Sequence, residues 1–220
     1  MGKKLIILFD LDGTLIDSTE AILETFHHSF KEHNYPHPKD EDIASLIGYP
    51  LDIMYRELGV DEDVVWDYVA TYKEYYRVIA TKKTSLLINA KEAVIRANEF
   101  AKLGIVTTKT GKYSKVLMEH FELMKYFEVL IGREDVEKPK PDAEPIVKAL
   151  NALDYSNEEV WMIGDTKLDL ISANNAGVHS IGVLTGYDNC DILSQFTDVV
   201  FDDALDAVKF LQNRKTKHIS

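Results

Sequence analysis

The sequence predicts an α/β protein in which a doubly wound parallel sheet carries an all-helical insertion after its first strand. Three observations predict it. Short apolar runs recur at Leu5 to Phe9, Ile105 to Thr107, Val129 to Ile131, Val160 to Ile163, Ser180 to Leu184 and Val199 to Phe201, with helical patterns between them. Repeated strand-then-helix units of this kind build a parallel sheet covered on both faces. From about Ser18 to about Ser85 the alternation stops, and helix signals continue without a convincing strand. Polar residues collect after the strands, at the ends where open parallel sheets bind ligands.

Taken in order, the first run empties directly into Asp10 and Asp12. The helical stretch that follows has one apolar face in Leu23, Phe26 and Phe30 and another in Val65, Tyr68, Val69, Tyr72 and Tyr76. It is long enough to bury a small core of its own. We therefore expect a core domain from residues 1–17 and 82–220 and a helical domain from residues 18–81. Asn89 with Glu92 reads as a capping box opening a helix through Ala93, Val94, Ala97 and Phe100, with Gly104 as its stop. Asp142 caps a helix with Pro145 near its start, and Gly177 ends the helix after Asp165.

Composition narrows the function classes. The 220 residues are 45% hydrophobic and 28% charged, as in a globular protein with a sizeable core. A net charge of -12 and a pI near 5.0 exclude the basic footprint that nucleic acids and anionic membranes require. One cysteine, Cys190, rules out an intramolecular disulfide framework, and the apolar runs are strand-sized rather than membrane-spanning. The run after Lys3 and Lys4 meets Asp10 too soon for a signal-peptide core, so the cytoplasm is the expected compartment.

The chemistry starts from Asp10 and Asp12. Alternate residues of an extended segment point the same way, so these carboxylates would crowd unless a cation or a proton offsets them. Other strand ends add Thr107 and Thr108, Lys138 in the loop after Gly132, and Asp165 after Gly164. Taken singly, each has a plainer reading: a turn, a strand threonine, a surface lysine, a helix cap. His27, His28, His33 and His37 read as a solvated face, because they span a helix end and lack a neighbouring cysteine. Tyr68, Tyr72, Tyr75 and Tyr76 read as a packing stripe.

Together, Asp10-Leu11-Asp12-Gly13-Thr14, the strand ending in Thr107, Lys138-Pro139-Lys140-Pro141 and Gly164-Asp165-Thr166-Lys167-Leu168-Asp169 resemble the four motifs of the haloacid dehalogenase superfamily, in that family's order. The resemblance covers nearly the whole chain. It implies a Rossmann-like core and a helical cap inserted between the first two motifs, as in the phosphoglycolate phosphatase branch. Thr108 stands where related phosphatases often carry Asn. The dehalogenases themselves lack an aspartate at the Asp12 position, so its presence favours phosphoryl transfer.

The resemblance implies roles that these side chains can support. Asp10 would attack phosphorus to form an aspartyl-phosphate, and Asp12 would act as general acid and base. Mg²⁺ would be held by Asp10, the backbone carbonyl of Asp12 and Asp165, with Asp169 supporting that shell or contacting Lys138. Thr107, Thr108 and Lys138 would bind the phosphoryl oxygens. Gly48-Tyr49-Pro50-Leu51 is similar in position to a substrate-facing cap loop. The expected activity is Mg²⁺-dependent hydrolysis of a phosphoric monoester, a small phosphorylated metabolite of phosphoglycolate type, by a monomer or homodimer. A β-phosphoglucomutase-like mutase, a pyrophosphatase and a non-catalytic phosphometabolite-binding module are the alternatives.

Overall fold

The structure, a computed structural model, describes residues 5–217. Strand β1 (Leu5–Phe9) is followed by a turn and the short β2 (Ile16–Asp17). Helices α1 (Thr19–Glu32), α2 (Asp40–Ala44), α3 (Leu51–Glu57) and α4 (Val65–Lys83) come next, and β3 (Ser85–Leu86) closes the excursion. β3 pairs antiparallel with β2, Ile16 opposite Leu86 and Asp17 opposite Ser85. The chain thus leaves and re-enters the sheet region through a two-stranded stem.

The alternation then resumes with α5 (Ala90–Asn98), β4 (Lys102–Val106), α6 (Gly111–His120), β5 (Val129–Ile131), α7 (Glu144–Ala152) and β6 (Glu159–Gly164). It ends with α8 (Lys167–Asn175), β7 (His179–Val183), α9 (Cys190–Leu193), β8 (Val200–Phe201) and α10 (Ala204–Lys217). The six main strands form one sheet in the order β5-β4-β1-β6-β7-β8, and the pairings are parallel. Strand order reverses between β1 and β6. Such a switch point opens a crevice at the carboxyl ends of the two strands, because their crossover helices lie on opposite faces.

Strand periodicity explains the two-faced core. Ile7 and Phe9 of β1 pack in the same cluster as Ala93, Val94, Ala97, Val208 and Leu211 from α5 and α10. Ile6 and Leu8 face the other way, into a cluster with Ile146, Ala149, Leu150 and Ala173 from α7 and α8. β1 is buried along its whole length. The helical excursion has an aromatic centre: the Phe26 ring lies 4.7 Å from that of Tyr55 and 5.1 Å from that of Tyr72, and Phe30 lies 5.4 Å from Tyr68. Tyr68, Tyr72 and Tyr76 of the expected packing stripe are buried, whereas Tyr75 is half-buried and donates its hydroxyl to Glu24 at 2.8 Å. Among the described residues, no helix is long and apolar enough to cross a membrane.

Two local expectations are corrected. Gly104 lies inside β4 rather than at a helix end. A Cβ there would come within 2.7 Å of the Leu8 side chain and 2.8 Å of Val129, so its glycine serves close strand packing. Asn89 precedes α5 with a left-handed backbone, φ 61°, and its side chain donates instead to Asp203 at 2.7 Å.

Candidate active site

β1 and β6 deliver Asp10 and Asp165 to the same end of the sheet because they are neighbours in parallel register, Phe9 opposite Ile163. The Asp10 amide extends that ladder by donating to the Ile163 carbonyl at 3.0 Å. Asp169 comes from the first turn of α8. Its carboxylate accepts from the Thr166 amide at 3.1 Å and the Thr166 hydroxyl at 2.8 Å, a capping arrangement that turns the side chain inward. Oxygens of Asp10, Asp165 and Asp169 all lie within 4.8 Å of one another. Asp10 is 4% exposed and the other two are fully buried.

One ammonium faces these three carboxylates, and it belongs to Lys140. Its Nζ lies 2.9 Å from Asp10 Oδ1 and 2.5 Å from Asp169 Oδ1, and it donates to the Val106 carbonyl at 3.1 Å. Lys138 is exposed, and its amide donates to Glu144 at 2.8 Å. The expectation that Lys138 reaches the site is therefore corrected: the second lysine of Lys-Pro-Lys-Pro turns inward and the first turns out. Both lysines were visible in the motif. In an extended segment they point the same way, so alternation could not tell them apart, and only the path of the loop does.

Burial dominates the electrostatics. It pushes the Asp10 carboxyl up to about 7, against the pull of Lys140 and with a further push from Asp169. Burial, Asp169 and Asp10 push Asp165 well above the carboxylate range. Burial alone would lower the Lys140 ammonium, but Asp10 and Asp169 outweigh it and hold it raised.

Asp165 is clasped from several sides. Thr14 donates its hydroxyl to one carboxylate oxygen at 2.8 Å, and the Tyr187 amide donates to the other at 3.0 Å. Gly13, at φ +82°, and Gly186 approach so closely that a Cβ on them would stand 2.2 Å and 1.9 Å from Asp165 Oδ2. Glycine is required at both places, first for the backbone angle and then for space.

Asp12 lies outside this cluster. Its carboxylate is ion-paired with Lys109 at 3.0 Å and accepts a short hydrogen bond from the Ser18 hydroxyl. Lys109 also sits over the Tyr76 ring, 4.7 Å from its centroid. Burial works against the Lys109 charge, but Asp12 and Tyr76 hold its ammonium raised. The sequence reading missed Lys109. Its signal was a third polar residue after β4, directly behind Thr107 and Thr108.

The two threonines part company. Thr107 is buried at the end of β4, its amide bonded to the Ile131 carbonyl at 3.0 Å and its hydroxyl accepting from the Lys109 amide at 3.2 Å. Thr108 points to the helical excursion and donates to the Gly48 carbonyl at 2.8 Å. Two more contacts join these parts: Tyr113 to the Lys73 carbonyl at 2.9 Å, and Thr19 with the Tyr187 hydroxyl at 3.0 Å. Ile47 and Tyr49 line two openings. One is a cleft of about 50 Å³ lined by Asp12, Lys109 and Tyr76, and the other a cavity of about 400 Å³ lined by Tyr49, Lys167 and Tyr187.

The buried cluster suits a hard divalent cation. Three carboxylates against one ammonium leave excess negative charge, and all the donors are oxygen. Asp10 Oδ1 is buried, with the Lys140 ammonium at 2.9 Å as its charge partner. Asp10 and Asp165 are placed to hold such an ion. Asp169 is committed to Lys140 and Thr166 and so orients the site.

Known proteins carry the same architecture. Residues 7–183 match the family model described as haloacid dehalogenase-like hydrolase. A pyrophosphatase PpaX of Halalkalibacterium halodurans is 35% identical over 191 residues, 86% of this chain and 88% of that protein. A haloacid dehalogenase-like family hydrolase of Streptococcus pneumoniae superposes with a TM-score of 0.84 at 26% identity, covering 96% of this chain and 100% of the other. A structure described as a predicted phosphoglycolate phosphatase, from Haemophilus somnus, shares the fold with a TM-score of 0.86 at 23% identity, over 96% and 99% of the two chains. The chain belongs to the haloacid dehalogenase-like hydrolases.

Proposed function

We propose that this chain is a Mg²⁺-dependent phosphohydrolase working through an aspartyl-phosphate on Asp10, with inorganic pyrophosphate as its first-choice substrate. The observation that carries the reading is the division of labour between two carboxylates of one short motif. Asp10 lies in the buried cluster against Lys140, while Asp12 stands outside it against Lys109. Asp10 is placed to attack phosphorus, and Lys140 to hold negative charge on the transferring oxygens. Bound Mg²⁺ would screen the phosphate from the carboxylates and polarise the phosphoryl group.

Asp12, held against Lys109, is placed as the base for the water-activating step. A departing phosphate can leave as the monohydrogen dianion with a proton already on a peripheral oxygen, whereas a departing alkoxide must take its proton from the enzyme. Lys109, held beside Asp12 and over Tyr76, is a fixed cation for an anionic leaving group. The names of the curated relatives support the same substrate. A phosphoglycolate-like substrate is the second reading, because Lys109 can receive a carboxylate as well as a phosphate. The narrow cleft beside Asp12 favours either small anion over a sugar phosphate.

We propose further that residues 18–81 act as a cap over a core formed by residues 1–17 and 82–220. The Thr108 bond to Gly48 and the Tyr113 bond to Lys73 would hold the closed form. Closure would exclude water while the phosphoenzyme forms, and opening would readmit it.

The test is kcat/KM for pyrophosphate, phosphoglycolate and a hexose phosphate with and without Mg²⁺, on the wild type and Asp10→Asn. Pyrophosphate should lead, and EDTA and Asp10→Asn should each abolish turnover. Activity surviving Asp10→Asn would remove the covalent mechanism. A lead for phosphoglycolate would replace the substrate and keep the mechanism.

A further inference from the structure

Away from the carboxylate cluster, the second half of α1 and the loop before α2 bring His27, His37 and Asp40 together. His27 Nε2 lies 2.6 Å from Asp40 Oδ1, and His27 Nδ1 lies 3.4 Å from His37 Nδ1. The ring centroids are 5.5 Å apart and the planes 29° apart. A carboxylate on Nε2 makes that nitrogen the protonated one, which leaves the Nδ1 of His27 as a bare lone pair aimed at His37.

A separation of 3.4 Å puts this contact at the long end for a hydrogen bond between two ring nitrogens. The same distance fits a shared ion: two imidazole nitrogens on a tetrahedral zinc, each about 2.0–2.1 Å from the metal, lie about 3.3–3.4 Å apart. The loop is held in place before any ion arrives. Asn34 turns the chain with a left-handed backbone, φ 51°, the Tyr35 amide donates to the Phe30 carbonyl at 3.0 Å, and the Tyr35 hydroxyl donates to the Gly59 carbonyl at 3.0 Å.

We infer that His27 and His37 form a second metal site, on the surface of the helical excursion, for a borderline divalent ion of the zinc class, with Asp40 orienting His27. Imidazole donors select Zn²⁺, Ni²⁺ or Cu²⁺ over Mg²⁺, so the site is chemically distinct from the all-oxygen cluster. Binding uses the Nδ1 lone pair of each ring. His37 carries its proton on Nε2 in the bound form, and solvent and further ligands complete the coordination. A bound ion ties α1 to the loop and the start of α2.

The test is Zn²⁺ titration by calorimetry with Mg²⁺ in excess to occupy the carboxylate cluster, paired with ¹⁵N spectra of the histidine rings. The wild type should bind one equivalent and shift the Nδ1 signals of His27 and His37. His37→Gln and His27→Gln should each abolish that equivalent while leaving phosphohydrolase activity intact, which also reports that the variants fold. Asp40→Asn should weaken it by about 10–100-fold. No Zn²⁺ uptake by the wild type, or undiminished uptake by His37→Gln, would overturn the inference.

Discussion

Replacing Lys140 by Met keeps the length and most of the volume of a side chain that is 3% exposed, and removes only its charge. What remains is Asp10, Asp165 and Asp169 within 4.8 Å of one another and no ammonium among them. Removing one partner of a buried ion pair costs about 3–5 kcal/mol, and here two carboxylates lose the same cation. In a chain of this size each kcal/mol moves Tm by roughly 2–4 °C, so Lys140→Met without metal should melt about 6–20 °C below the wild type. Mg²⁺ should recover part of that by supplying charge to the same oxygens. Turnover should stay low even when the variant is folded and metal-loaded, by about 10²–10³ in kcat, because the transferring phosphoryl group loses a fixed positive donor. Lys138→Met is the control: an exposed side chain whose loss should shift stability by less than about 0.5 kcal/mol and leave kcat unchanged. Calorimetric melts with and without Mg²⁺, with initial rates on both variants, decide the matter. If Lys138→Met matches Lys140→Met in lost turnover, or Lys140→Met melts and turns over like the wild type, the assignment of the inward lysine is wrong.

Three further outcomes follow from the same geometry. Gly186→Ala would place a Cβ 1.9 Å from Asp165 Oδ2; it should displace that carboxylate and raise the Mg²⁺ concentration for half-maximal activity, and an unchanged Mg²⁺ titration would contradict the close approach. Thr108→Val removes one hydrogen bond to Gly48, worth about 0.5–1.5 kcal/mol; stopped-flow and steady-state kinetics should show slower or less complete closure and kcat/KM reduced by up to about tenfold. For metal-free protein, Asp10 titrates near 7 when folded against 3.8 for an unperturbed group. The native state then binds the proton more tightly than the unfolded chain, so the Asp10 contribution to stability should fall as pH rises between these values, and Asp165, also raised, adds a fall of the same sign. Melts in EDTA from pH 4 to 8 check the sign, and Mg²⁺ should stabilise most at the upper end.

Much of this protein is legible in its sequence because local rules suffice. The run from Leu5 to Phe9 can only be a buried strand, and placing Asp10 directly after it fixes that carboxylate at the sheet's end. Gly164 and Asp165 are read the same way from the apolar run before them. Phe26, Phe30, Tyr68 and Tyr72 declare a helical core by spacing alone, and they form one.

What the chain could not show by itself is which long side chain turns inward. Lys138 and Lys140 are two residues apart in one loop, chemically identical and both followed by proline, so propensity and alternation treat them alike. The choice is made by the position of that loop over β1, β4 and α8, where three carboxylates from distant parts of the chain create the demand for a charge. Lys109 with Asp12, Thr108 with Gly48, and His27 with His37 are likewise contacts across 97, 60 and 10 residues of sequence. Short-range patterns determine strands, helices and the residues at their ends; the pairing of charges depends on distances that exist only after the sheet order and the helical excursion have closed over them.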